Sequence, residues 1–162
     1  MTFNDIWQVV LITMIPALEL RASLPFAILV LEMPWLSAFL LVVVVNIILG
    51  PIVYFALRFF LNIVIKIPFF NKLYERSLRK VQTKIKPKVD KYGEWGLALF
   101  IGIPLPGSGV YTGALAAFVL DIKPKKFMIA TVIGVLIAAI IVLLVVLVGS
   151  ETFNWILIKL DS

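Results

Sequence analysis

An apolar run from Ile6 to Leu31 is broken at its centre by Pro16-Ala-Leu-Glu-Leu-Arg-Ala-Ser-Leu-Pro25, and that break restricts the fold more than any other feature. The run is long enough to enter a membrane deeply. A straight lipid-facing helix, however, has no use for two prolines, a glutamate and an arginine at its middle. Each charge there costs ~2.5–3.5 kcal/mol on insertion, so Glu19 and Arg21 need each other, water or a ligand. Pro16 and Pro25 each lack a backbone donor and interrupt helical continuity. Non-helical backbone at membrane depth survives only inside protein or against a cavity. The segment 6–31 therefore reads as a re-entrant hairpin that goes in, presents a polar tip and returns to the same side.

The rest of the chain agrees with a membrane setting. Of 162 residues, 62% are hydrophobic, more than the interior of a soluble domain this size can hold. There is no cysteine and no histidine. That removes thiolate chemistry, the commonest zinc ligands and the usual imidazole base, so no metal, cofactor or enzymatic activity is expected. The net charge of +6 could suit nucleic acid, but its placement has a membrane explanation and no nucleic-acid partner is expected.

Trp35–Ile65 reads as a span of ~46 Å if fully helical, longer than a ~30 Å hydrocarbon core, so it must tilt, bend or protrude. Asn46 and Gly50-Pro51 supply a bend. Asn46 serves either an interhelical hydrogen bond or a substrate path. Residues 66–96 then turn basic, with nine Lys and Arg against three acids. Phe70, Leu73, Tyr74, Leu78, Val81 and Ile85 recur there at helical spacing, which predicts an amphipathic helix lying on an anionic membrane surface.

Leu97–Leu120 is the second broken run, interrupted by Gly102-Ile-Pro-Leu-Pro-Gly-Ser-Gly-Val-Tyr-Thr-Gly113. Pro104, Pro106 and four glycines rule out a continuous helix, and a second re-entrant hairpin over 97–120 is predicted. Phe127–Gly149 crosses without a charge, and 150–162 forms a short tail with Trp155 as an interface anchor.

The resulting fold class is an all-α integral membrane protein of one domain, 1–162. It is built from two inverted repeats, 6–65 and 97–149, each a hairpin followed by a transmembrane helix. Their link is the cytoplasmic amphipathic helix. With both hairpins re-entrant, twelve of the fifteen Lys and Arg fall on one side. The positive-inside rule makes that side cytoplasmic and leaves both termini outside. The alternative, four full spans, would put Lys123, Lys125 and Lys126 outside. Hairpins inserted from opposite faces bring their tips together near the midplane. Paired, interrupted segments in corresponding halves point to a transport site.

The first tip carries Glu19 and Arg21, which diverge on a helix but point the same way on extended backbone. The second offers backbone amides around Gly107, Ser108 and Gly109, hydroxyls on Ser108, Tyr111 and Thr112, and a helix start near Tyr111. Such glycine-rich turns and helix N-termini favour anions. Arg21 is the natural bidentate partner for phosphate or carboxylate. Glu19 either neutralises Arg21 in an empty site or carries a proton. The structural alternative is a buried ion pair that locks the hairpin, with Gly102, Gly109 and Gly113 serving close helix packing.

PALELRASLP and GIPLPGSGVYTGALAAF, separated by one span and a basic linker, resemble the small multidrug export protein family over about Ile6 to Leu147. At greater distance the pattern is similar to the DedA (VTT, SNARE-associated) membrane proteins. The resemblance implies a transporter on inverted re-entrant hairpins, and in the wider group lipid translocation, including undecaprenyl phosphate. It places Glu19, Arg21 and Pro25 on the first motif and Pro104, Pro106, Gly107, Gly109 and Gly113 on the second. DedA proteins carry arginines around the second proline. None lies between Leu97 and Leu120 here, which leaves Arg21 as the strong phosphate ligand.

The expected function is thus a transporter or flippase for an anionic amphiphile, with a proton or sodium ion as coupling ion, membrane lipids as partners and a homodimer as the assembly. Arg21, Asn46, Gly107, Ser108, Gly109, Tyr111 and Thr112 are the expected substrate contacts, Glu19 couples, and Pro16, Pro25, Pro104 and Pro106 break the hairpins. The alternatives are an exporter of cationic drugs that uses Glu19 for proton exchange, or a non-transporting scaffold. Gly107-Ser108-Gly109 superficially resembles a nucleophile turn but has no histidine or membrane lysine to activate it.

Overall fold

The computed structural model describes residues 2–16, 18–64, 94–105 and 108–160. Among these the chain is all-helical, with six α-helices and no strand. They are α1 (Phe3–Met14), α2 (Glu19–Pro25, running into a π-helical turn Phe26–Val30), α3 (Trp35–Val64), α4 (94–102), α5 (Val110–Val119) and α6 (Pro124–Leu160). The amphipathic helix expected over 66–96 lies outside the described residues, apart from 94–96, which open α4.

Local chemistry explains where these elements start and stop. A capping box opens α1: the Thr2 N–H donates to Asp5 Oδ2 at 2.5 Å and the Asp5 N–H to Thr2 Oγ1 at 3.3 Å. Those bonds hold the Asp5 carboxyl below its ordinary range. α1 ends at Met14, and Ile15 is extended (φ −75°, ψ 122°), as the residue before Pro16 must be. Pro25 removes a donor from the α2 ladder, and the turn after it is π-helical.

The two runs also end alike. Glu32 (φ 50°) and Asp121 (φ 53°) are left-handed. Each is followed by a buried apolar residue, Met33 or Ile122, whose N–H bonds back to Ala27 O (3.0 Å) or Ala117 O (2.8 Å). This is a Schellman-type stop, and Pro34 or Pro124 then leads into the next helix.

Trp35–Phe60 of α3 and Pro124–Gly149 of α6 are long and apolar enough to cross a membrane. α3 runs through Pro51 as one helix of 30 residues. α6 begins at Pro124, where a missing N–H costs nothing, and continues through 151–160, so the predicted tail is in fact helical up to Leu160.

α3 and α6 pack through Tyr54, whose ring stacks on Phe127 with centroids 4.9 Å apart and whose hydroxyl donates to Ile122 O at 3.0 Å. α4 wedges against α5 and α6 through glycines. A Cβ on Gly113 would lie 2.6 Å from Ile101 Cγ1, and one on Gly134 2.7 Å from Ala98 O. A Cβ on Gly102 would lie 3.1 Å from Ile137 Cβ, a tight but looser contact. The glycines at 102 and 113 are therefore packing residues. Outward residues such as Phe59 and Val145 are exposed, as a lipid-facing surface requires.

Tyr54→Phe should lower stability by about 1 kcal/mol by orphaning a carbonyl, whereas Tyr54→Ala, which also removes the stack on Phe127, should cost ~3–5 kcal/mol. Heating followed by size-exclusion of the purified protein measures both. Equal losses would show that the hydroxyl alone secures this contact.

Candidate functional site

Each broken run leaves the C-terminal carbonyls of a helix without intrahelical partners. The chain caps them across the two halves. The Tyr111 hydroxyl, on α5, donates to Met14 O at the end of α1. Arg21 Nη2, on α2, donates to Ile103 O just past α4 at 3.4 Å and to Ser108 Oγ at 2.8 Å. The Ser108 hydroxyl also accepts from the Leu105 N–H at 3.3 Å and faces Ile103 O and Leu105 O. Having one proton, it donates to one of those carbonyls at a time.

Glu19 lies between the two breaks and is only 2% exposed. Its Oε2 accepts from the Val110 N–H at 3.1 Å and its Oε1 from the Tyr111 N–H at 3.3 Å. The carboxylate therefore sits on the first turn of α5, where the helix dipole favours it. Arg21 Nη1 is 3.7 Å from Glu19 Oε2, a loose ion pair. The expectation that the two need extended backbone to meet is corrected here. They are the first and third residues of α2, and a left-handed backbone at Glu19 (φ 44°) takes the place of the extended one. That conformation is uncommon for a residue with a Cβ. Gly109, opposite, has φ 126° and ψ −167°, and a Cβ there would fall 2.9 Å from Arg21 Nη1 and 3.0 Å from Glu19 Cδ.

The structure thus gathers Glu19, Arg21, Ser108, Gly109 and Tyr111 into one cluster. It differs from the sequence reading in what the donors do. The α5 amides expected to receive an anion already hold Glu19. The Thr112 hydroxyl donates to Gly109 O at 3.3 Å, within its own turn. Asn46, fully buried in α3, donates to Val42 O at 3.1 Å, and no hydrogen bond among the described residues joins it to the cluster. Pro16 is exposed at the first break. Gly107 and Pro106 lie outside the described residues.

Beside the cluster is a cavity of about 270 Å³. Arg21, Pro25 and Pro104 form one side, and Ile141, Val142, Val145 and Val146 of α6 form the other. Arg21 Nε is buried without a hydrogen-bond partner among the described residues, and Nη1, which also makes no hydrogen bond, keeps its ion pair with Glu19. Sequence reading missed the α6 wall, because nothing in a uniformly apolar run marks one face as special. No group of His, Cys, Asp or Glu among the described residues is placed to hold a metal ion.

A family model described as "Putative small multi-drug export protein" matches residues 19–141, from Glu19 inside the first break, through the second, to the first residue of the α6 wall. Neither the curated proteins nor the solved structures contain a match to the chain.

Proposed function

The chain belongs to the small multi-drug export protein family, and from that premise we propose that it is a membrane transporter or flippase moving an anionic amphiphile, such as a phosphate-bearing lipid. The observation that carries this reading is Arg21, the one charged residue of the cavity wall, whose buried Nε has no hydrogen-bond partner among the described residues. A guanidinium buried with a spare donor is costly unless an acceptor completes it, and phosphate or carboxylate fits its fork. In this reading the runs 6–31 and 97–120 are re-entrant hairpins of inverted repeats. Their tips meet in the bilayer interior, with both termini outside and the basic linker cytoplasmic. The matched left-handed stops at Glu32 and Asp121 support the repeat. Glu19 is the coupling residue, since protonation removes the charge that the α5 amides and Arg21 hold, and a proton or sodium ion drives the cycle.

A second reading follows the family description more closely, with cationic drugs as cargo and Glu19 exchanging a proton. Reconstitution separates the two. In proteoliposomes the full chain should translocate fluorescent phospholipid or polyprenyl phosphate. Arg21→Gln should slow this roughly ten- to hundredfold, the weight of a charge-assisted hydrogen bond, and Arg21→Lys should slow it less. A protein that moves no anionic amphiphile, but extrudes cationic dyes in a manner lost with Glu19→Gln, would be the drug exporter instead.

A further inference from the structure

The cavity beside Arg21 has two unlike sides. Its polar end is a single guanidinium, whereas the opposite wall is four aliphatic side chains spaced over little more than one turn of α6. Val142 and Val146 are buried at its floor, while Ile141 and Val145 are 38% and 67% exposed at its rim. Because α6 is a candidate membrane span, an exposed rim on it faces lipid rather than water. The groove therefore opens sideways into the bilayer, with its only charge at the inner end.

We infer that this groove between α2 and α6 holds the hydrocarbon chain of an anionic amphiphile, which arrives laterally from the bilayer with its head on Arg21 and its tail along Val142 and Val146. Charge complementarity selects this occupant. A neutral lipid tail would leave Arg21 Nε without an acceptor, and a small free anion would leave the apolar floor without a partner, whereas a charged head with an attached chain satisfies both. The path needs no aqueous vestibule. It also gives a role to Pro25 and Pro104, which flank Arg21 on the cavity wall. This inference rests on the anionic-amphiphile reading above, and its test is arranged to separate the two.

The chain has no cysteine, so one bimane can be placed on Val145→Cys at the groove rim, or on Ile140→Cys as an α6 control that is also exposed but absent from the cavity wall. The full chain in nanodiscs of neutral phosphatidylcholine is then titrated with chain-brominated dodecyl phosphate, with the matching brominated alcohol, and with butyl phosphate as a water-soluble anion. The expected result is several-fold stronger quenching at 145 than at 140 by the phosphate, and no such difference with the alcohol. Arg21→Gln should erase the difference and Arg21→Lys should keep part of it. Equal quenching at both positions, while butyl phosphate still binds in an Arg21-dependent way, would overturn the groove and leave the anionic reading standing. A preference for 145 shown equally by the alcohol would make the groove a site for any alkyl chain and overturn the anionic occupant. Failure of both phosphates to bind in an Arg21-dependent way would overturn the anionic reading itself, and the groove assignment with it.

Discussion

Gly109→Ala is expected to destabilise the protein by roughly 3–5 kcal/mol, combining backbone strain with loss of buried hydrogen bonds, and to abolish transport. At φ 126° and ψ −167° this residue occupies backbone space that is essentially restricted to glycine. A Cβ would also drive into the Glu19 carboxylate and Arg21 Nη1. One methyl group must therefore either distort the backbone or push Glu19 off the amides of Val110 and Tyr111. Gly149 supplies the contrast. A Cβ there meets nothing within 4 Å, and alanine in a helix is favoured by ~0.5–1 kcal/mol, so Gly149→Ala should be neutral or stabilising. Thermal stability by size-exclusion compares the two. If Gly109→Ala melts with the native protein, the Glu19 seat on α5 is not what joins the halves.

The second large effect concerns the pair itself. Glu19→Gln leaves a mostly buried guanidinium without its counter-charge and weakens the hold on α5, and Arg21→Met leaves Ser108 and Ile103 without their long-range donor. Breaking one side of such a pair costs up to ~3–5 kcal/mol, so each single change should cost about 2–4 kcal/mol by the same argument, discounted because Arg21 is 14% exposed. The double variant should lose less than the sum of the two by ~1–3 kcal/mol, as groups in one network do. Transport readouts should behave differently. Both singles and the double should be inactive if Arg21 holds cargo and Glu19 couples. A double variant that regains stability and also transports would make the pair purely structural.

Much of this arrangement is legible along the chain. The positions of both breaks follow from Pro16, Pro104 and their neighbours, and the start of α5 at Val110 lies one residue from the expected Tyr111. Both turns into the long helices were visible as an acid followed by a proline. What proline and glycine cannot announce is who receives their unpaired backbone groups. Open amides around Gly107, Ser108 and Gly109 were a fair local inference, yet the Ser108 N–H bonds within the turn to Leu105 O, and the neighbouring Val110 amide of the helix start is taken by Glu19 from 91 residues away. Asn46 shows the converse. A lone amide in an apolar helix looks like a pathway residue, but it bonds one turn back to Val42.

Hydropathy, charge placement and helix breakers are properties of short stretches, so the chain alone settled that it is a helical membrane protein with two interrupted runs and polar residues at the breaks. Partnership among those polar groups depends on how α1, α2, α4 and α5 pack, which no stretch encodes by itself. Only the assembled helices decided that the α5 amides serve Glu19, that each half caps the other's broken helix, and that Arg21 lies on the wall of a cavity whose other side is an apolar face of α6. The physical reason is that a buried hydrogen-bonding group takes whichever partner packing brings within about 3 Å, and packing is set by the whole bundle.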